Sequence, residues 1–151
     1  MLSVIVPTLN CERDLANLLA RLVPAAVDGL VAQVIVLDGG STDGTLEIAE
    51  DAGADVASSF ASALAITRRD WILILPADLR LRGGWEGALA GHLTGRGGPA
   101  LVLGERDGEG LLARLRPAPS GLLVAEAALK DAGPSLDLVG LRRKHGGRAR
   151  L

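Results

Sequence analysis

Residues 34–45 constrain the fold more than any other stretch of this chain. They read Val34-Ile35-Val36-Leu37-Asp38-Gly39-Gly40-Ser41-Thr42-Asp43-Gly44-Thr45. Four apolar, mostly β-branched residues run into an acid, two glycines and a cluster of capping residues. A helix-like segment, Leu46-Glu47-Ile48-Ala49-Glu50, follows. The pattern predicts a buried strand, a tight glycine turn and a helix N-terminus. In an open α/β sheet, ligands bind beyond the carboxyl ends of the strands. A helix start placed there offers unpaired N–H groups and a positive dipole end, which suit a phosphate. Asp38 stands where the strand stops, so its carboxylate is expected to face the occupant of that crevice.

The 151 residues, 48% of them hydrophobic, suffice for one domain with one core. With one Phe, two Trp and no Tyr, that core must be built from Leu, Val, Ile and Ala. Cys11 is the single cysteine, so no internal disulfide can form. No secretory signal pattern opens the chain, and residues 22–37, the longest apolar region, are interrupted by Pro24, Asp28 and Gln33. A soluble cytoplasmic protein is therefore expected. All 18 acids precede residue 142, against 11 of the 16 basic residues, which leaves the body at −7 and residues 142–151 at +5. Those last residues read as a solvated basic tail, with contact to a phosphorylated ligand or to anionic lipid at the inner membrane face as the alternative. Nucleic acid is disfavoured, because the body is acidic and no aromatics interleave the basic residues.

Read in order, residues 2–6 form a strand closed by Pro7, and residues 11–23 a helix whose Leu15, Leu18, Leu19 and Leu22 recur at helical spacing. Pro24 is expected to end or bend that helix. Residues 34–37 and 45–51 supply the second strand and helix, and residues 54–58 a short third strand. A small-residue helix over 60–69, a strand over 71–75 closed by Pro76, a helix from Trp85 to about His92, and a strand over 100–103 complete the regular part. This alternation argues for a mostly parallel sheet covered on both faces. Beyond Gly104 the pattern loosens. Residues 111–115 read as strand or short helix, 122–124 as a strand, 125–132 as a helix, and 135–144 as a last helix.

Val4-Ile5-Val6-Pro7-Thr8-Leu9-Asn10, the leucine-spaced helix and residues 34–45 together resemble the opening of family 2 glycosyltransferases. The strand over 71–75 with Asp78 falls where that family carries its metal-binding acidic motif. Gly121-Leu122-Leu123-Val124 resembles the later strand that precedes the family's acceptor-side acid. The resemblance implies a GT-A-like, Rossmann-like three-layer sandwich over residues 1–141. It also implies transfer of a sugar from a nucleotide-sugar donor, typically uridine-linked, to an acceptor hydroxyl of a saccharide or lipid-linked molecule. By the same resemblance, Pro7, Thr8 and Asn10 line the nucleotide pocket. Asp38 with Gly39 meets the base, and Asp43 shapes the loop. Asp78 holds a divalent cation, Mn²⁺ or Mg²⁺, on the diphosphate. Asp137 is the candidate base, with Asp131 second.

Each residue has a plainer competing role. Asp38 fits a turn residue, Asp43 an N-cap, Asp78 a helix cap or a solvated loop acid, His92 a partner for a helix C-terminus, and His145 a solvated tail residue. Cys11 fits a packed or half-exposed thiol. Trp71 and Trp85 fit core edges, although Trp85 is near enough to Asp78 in sequence to line an acceptor pocket. The chain also departs from the family pattern. Pro76 stands at the first acidic position of the metal motif, and the residues over 60–69 are mostly Ala and Ser. A catalytically reduced domain that binds a nucleotide or a partner protein is therefore the alternative to an active enzyme. A nucleotidyltransferase is disfavoured because no glycine-rich basic loop follows the first strand. A dinucleotide oxidoreductase is disfavoured because no G-x-G-x-x-G does.

Overall fold

The computed structural model describes residues 1–95, 97–105, 118–129, 137–145 and 149–151. The first strand, β1 (Leu2–Thr8), is apolar on both faces, and it becomes the centre of the sheet. It pairs in parallel with β2 (Val31–Asp38) on one side and β4 (Trp71–Ile74) on the other. β3 (Asp55–Ala57) extends the β2 edge in parallel. β6 (Ser120–Ala125) runs antiparallel between β4 and β5 (Ala100–Leu103), and β7 (Ala149–Arg150) adds to β5 in parallel. The order is β3-β2-β1-β4-β6-β5-β7, a mostly parallel seven-stranded sheet among the described residues.

Strand alternation sorts the side chains into two apolar layers. Val4, Val6, Val36, Leu73 and Leu123 face the layer covered by α1 (Glu12–Val27), α2 (Thr45–Asp51) and α4 (Trp85–Thr94). Ile5, Ile35, Ile72, Ile74 and Val124 face the layer covered by α3 (Phe60–Ile66), a 3-10 turn (Glu126–Leu129) and α5 (Leu138–His145). The result is the expected three-layer α/β/α sandwich. Burial of both sheet faces explains why these strands read as unbroken apolar runs rather than alternating ones.

Several boundaries differ from the sequence expectations, each for a local reason. α1 continues through Pro24 to Val27. The proline removes an N–H aimed at Ala20, but both residues lie on the exposed face, where water can satisfy the lost acceptor. The final turn is held by Ala25, fully buried, and by the N–H of Leu30 donating to its carbonyl at 2.9 Å. α3 stops at Ile66 because Thr67 turns extended and the Arg68 N–H is taken by the Gln33 side chain at 3.0 Å. After β6 the chain forms a 3-10 turn where a regular helix was expected over 125–132; the second half of that range, with residues 111–115 and Asp131, lies outside the described residues.

Residues 142–151, read from the sequence as a solvated basic tail, are partly drawn into the fold. Arg142 to His145 close α5, and β7 pairs Ala149 with Ala100 and Arg150 with Leu101. The N–H of Leu151 donates to Leu101 at 2.8 Å and its carbonyl accepts from Leu103 at 2.7 Å. Backbone pairing outweighs the local charge here, because Arg150 can point to solvent while its main chain completes a ladder. Among the described residues, no helix is long and apolar enough to cross a membrane.

Candidate active site

The sheet order fixes where a ligand can enter. From β1 the chain crosses through α1 to β2 on one side, then returns through α3 to β4 on the other. The C-terminal ends of β1 and β4 are therefore the switch point, where diverging loops leave a crevice. Pro7, Leu9, Cys11, Asp14, Pro76 and Asp78 line an opening of ≈ 230 Å³ there. A larger cleft of ≈ 410 Å³ adjoins it, lined by Asp14, Asn17, Arg21, Asp78, Arg80 and Glu105 among others. Asp14 and Asp78 border both spaces. Cys11 is half-buried, and burial raises its thiol pKa despite a backbone hydrogen bond from Leu9's side of the loop, so it is not an activated nucleophile.

Asp38 ends β2 directly beside Thr8, its register partner on β1. The residue is 9% exposed, and its carboxylate accepts four hydrogen bonds. Oδ2 takes the N–H groups of Gly40 and Ser41, both at 2.9 Å, and Oδ1 takes the hydroxyls of Ser41 at 2.5 Å and Thr8 at 3.1 Å. Burial pushes the Asp38 pKa up, but the bonds from Ser41, Gly40 and Thr8 outweigh it and hold the net value below the ordinary one. A carboxylate has about four acceptor positions, and all four are filled. Asp38 thus staples the turn at the end of β2 to the end of β1; the expected bond to a base would require one of these partners to let go. Gly40, at φ +98°, supplies the left-handed residue that the turn needs, and the Gly39 N–H donates to Thr8 at 2.9 Å.

The β1–α1 and β2–α2 loops are tied into one block. Asn10 sits at φ +50°, and its side chain explains the strain. Its Oδ1 accepts the Thr42 N–H at 2.8 Å, while its own N–H donates to the Ser41 hydroxyl at 2.9 Å. The Asp43 carboxylate caps both helices, accepting from Thr45 N–H at 3.0 Å in α2 and from Glu12 N–H at 3.3 Å in α1. Glu12 returns the contact, accepting the Gly44 N–H at 2.9 Å. The Thr45 hydroxyl is the first cause of the lowered Asp43 pKa. Asp43 is therefore a cap that shapes the rim, and the helix N-termini expected to attract phosphate already have acceptors on their first donors.

Asp78 is exposed between buried Ala77 and Leu79, so the backbone presents this one carboxylate to the crevice. Pro76 occupies the position two residues earlier. Among the described residues, no group of three or more His, Cys, Asp or Glu side chains is arranged to hold a metal. The donor set therefore fits a hard cation only when a diphosphate and water contribute further oxygens, which is how Mg²⁺ is often held. Trp85 is 5% exposed and packs in the core under α4, so it does not line an acceptor pocket. His92 has Nε2 at 2.9 Å from the Gly98 carbonyl, which fixes that nitrogen as the donor.

Asp137 is exposed and caps α5, its Oδ1 accepting the Gly140 N–H at 2.9 Å. The structure brings Pro7, Thr8, Asp38 and Gly39 together at one strand end, joins Asn10 and Asp43 to them through the loops, and sets Asp78 across the crevice. Asp137, at the start of α5, lines neither of these two openings. Residues that sequence reasoning missed lie further along that helix. Arg142 is half-buried and donates through a terminal guanidinium nitrogen to the Ser120 carbonyl. Burial lowers its pKa while the nearby Asp78 charge raises it. His145, expected to be solvated, is instead half-buried. The spacing of Leu138, Leu141, Arg142 and His145 was the available signal, since it marks one helical stripe.

Comparison with known proteins agrees with this geometry. A model of glycosyl transferase family 2 matches residues 3–121. Glucosyl-3-phosphoglycerate synthase from Mycobacterium tuberculosis, with Mn²⁺, uridine diphosphate and glucosyl-3-phosphoglycerate, superposes at a TM-score of 0.65 with 23% identity, over 98% of this chain and 67% of that one. Its complex with Mn²⁺, UDP-glucose and phosphoglyceric acid gives 0.69 with 25% identity over the same shares. Mannosyl-3-phosphoglycerate synthase from Rubrobacter xylanophilus gives 0.64 with 19% identity, over 83% of this chain and 53% of that one. A TPR repeat-containing protein of Synechococcus elongatus is 45% identical over 78 residues, or 46% of this chain. The chain spans about a fifth, 19%, of that curated relative. The matched stretch includes both loops of the rim and Asp78, and on that evidence the chain belongs to glycosyl transferase family 2.

Proposed function

We propose that this chain transfers a sugar from a uridine diphosphate-linked donor to a hydroxyl of a small acceptor. The observation that carries the reading is the switch-point crevice, with Pro7 and Leu9 at the end of β1 on one wall and Pro76 and exposed Asp78 after β4 on the other. The ligands in the Mycobacterium tuberculosis structures, Mn²⁺ with uridine diphosphate or UDP-glucose, support a nucleotide sugar and a divalent cation. In this reading the nucleoside rests against Pro7, Thr8 and the backbone of the stapled loops, including Gly39 and Asn10. Asp78 contributes one carboxylate to a cation held mainly by the diphosphate, and that cation would supply charge stabilisation for the leaving phosphate. Asp137 takes the proton of the acceptor hydroxyl as that oxygen bonds to the anomeric carbon. The bond from that carbon to the phosphate oxygen breaks, and uridine diphosphate leaves with the electron pair.

A specific observation also favours a second reading, a domain that binds without transferring. Pro76 removes the first acid of the metal motif, and a single carboxylate is a weak anchor. Donor turnover separates the two. Release of uridine diphosphate from UDP-glucose in the presence of Mn²⁺, lost in Asp137→Asn with nucleotide affinity retained, is the result expected of the transferase. Nucleotide binding with turnover that is absent in wild type would refute it in favour of the binding domain.

A further inference from the structure

α1 presents a polar stripe to open space beside the crevice. Asp14, Asn17 and Arg21 lie at i, i+3 and i+7, so they share one face of the helix, and all three are exposed. They form one wall of the ≈ 410 Å³ cleft, a volume within the roughly 300–1,000 Å³ of small-molecule sites. From Asp14 to Arg21 that wall runs roughly 10 Å along the helix axis. Asp14 also lines the crevice, so the cleft opens from that end and extends toward Arg21. The floor is apolar, formed by Leu18, Ala77 and Leu79, which are 2%, 8% and 4% exposed.

The opposite wall is held in place by bonds between two loops. Leu81 bridges Gly104 in antiparallel fashion, and the Glu105 N–H donates to the Arg80 carbonyl at 2.7 Å. Arg82 Nε donates to the Gly104 carbonyl at 2.9 Å. A Cβ at Gly104 would fall 2.5 Å from Leu79 Cδ1 and 3.0 Å from the Arg80 carbonyl oxygen, so glycine is what admits this approach. The clamp fixes the backbone of Arg80 and Glu105 across from α1.

The lining restricts the chemistry of an occupant. Asp14, Asp78 and Glu105 against Arg21 and Arg80 leave it at −1. The carboxylates of Asp14 and Asp78 stand at the end shared with the crevice, so an anion meets repulsion there. A bare metal ion is not accommodated either, since among the described residues no three acids are arranged to hold one. A neutral molecule with several hydroxyls and an apolar face suits both floor and walls. Carboxylates accept from hydroxyls, a guanidinium donates in a fork to neighbouring oxygens, and the Asn17 amide does both. Among the described residues no hydrogen bond or ion pair engages the Asn17 or Arg21 side chain, which leaves their donors available.

We infer that this cleft is a subsite for a neutral sugar ring, with Asn17 and Arg21 as specificity-determining side chains. The inference rests on the reading of the crevice as a nucleotide-sugar site and deepens it, by making α1 the wall that reads the sugar. The ring is either the donor's own glycosyl group or a free saccharide.

The test titrates the full chain, in Mn²⁺, with uridine diphosphate, with glucose 6-phosphate, and with glucose, galactose and N-acetylglucosamine, each free and uridine diphosphate-linked. Wild type is compared with Asn17→Ala and Arg21→Met, which place good helix formers at exposed helix positions and are expected to fold. The Asn17 and Arg21 side-chain N–H signals are followed by NMR in wild type, and at least one of the sugars is expected to shift both. If the donor's glycosyl group occupies the cleft, its conjugate binds more tightly than uridine diphosphate. Each variant then weakens the conjugate about fivefold or more and leaves uridine diphosphate unchanged. If a free saccharide occupies it, the sugar binds at saturating uridine diphosphate, and the variants weaken that sugar alone. Uridine diphosphate binding with no sugar that moves either signal or responds to either variant would overturn the subsite. Tighter binding of glucose 6-phosphate than of glucose would overturn its neutral character. Sugar binding weakened in both variants with no uridine diphosphate bound at all would keep the subsite and refute the nucleotide site.

Discussion

Replacing Asp38 tests whether this carboxylate is a structural staple. In Asp38→Ala four hydrogen bonds vanish, two of them from backbone donors at 2.9 Å. Bonds to a charged acceptor are worth about 1.5–3 kcal/mol each when removed from a buried setting. Gly40 is exposed and Ser41 half-exposed, so water recovers part of the loss at both amides. We expect a net cost of about 3 kcal/mol, or a fall of roughly 5–10 °C in melting temperature for a chain of this size. Asp38→Asn is milder, at about 1–2 kcal/mol. Its amide can turn Nδ2 toward the Thr8 and Ser41 hydroxyls, which rotate to accept, while Oδ1 keeps the two backbone donors. The pH dependence follows from the lowered Asp38 pKa. A depressed carboxylate contributes stability fully above its unfolded value, about 3.9, and loses it as pH falls toward the folded value. The gap between wild type and Asp38→Asn is thus constant near neutrality and closes below about pH 4. Urea denaturation followed by Trp fluorescence from pH 7 to 3 measures this. An Asp38→Ala cost under about 0.5 kcal/mol, or a gap that stays constant down to pH 3, would refute the staple.

Substitutions at three further positions examine the scaffold. Gln33→Leu removes a buried amide that bonds Ser3 (2.9 Å), Asp55 (2.7 Å), Ile66 (3.0 Å) and Arg68 (3.0 Å). It should cost about 2–3 kcal/mol in urea titration yet leave nucleotide affinity unchanged, since it lies roughly 16 Å along the strand from Asp38. Gly121→Ala drives a methyl into Leu75 Cδ2 and to 2.9 Å from the Ile74 carbonyl, so calorimetry should show a loss of about 1–3 kcal/mol. Asn10→Ala forfeits the bond to the Thr42 N–H and keeps the left-handed backbone, so it should destabilise by about 1–2 kcal/mol. Asn10→Gly, which relieves the backbone, should recover part of that in the same melts.

What the sequence made legible were the features encoded locally. Residues 34–45 carry strand, turn and cap signals in adjacent positions, and β2, Gly40 and α2 follow from them. β5 was likewise readable from Ala100 to Leu103. Most of the missed features depend on partners distant in the chain. Asp38 has three of its acceptor positions filled locally by Gly40 and Ser41, and only the fourth, the Thr8 hydroxyl, comes from 30 positions away. Glu12 and Asp43 cap each other's helices, a reciprocity that neither helix shows alone. Pro24 sits inside α1 because its lost acceptor faces solvent, which depends on where the helix lies on the sheet. The basic end was misread because composition registers charge, whereas the stripe through Arg142 and His145 and the pairing of Ala149 depend on register. The role of Asp137 rests on the proposed mechanism, and its visible one is to cap α5.

In the proposed function, the crevice between β1 and β4 takes a nucleoside diphosphate with Asp78 at its metal side. Calorimetric titration of the full chain with uridine diphosphate, with and without Mn²⁺, for wild type and Asp78→Ala, tests it directly. Mn²⁺ alone is expected to bind weakly, Mn²⁺ to strengthen uridine diphosphate binding in wild type, and Asp78→Ala to abolish that enhancement while the folded state persists. No uridine diphosphate binding under any metal condition, or an Mn²⁺ enhancement that survives Asp78→Ala, would contradict it.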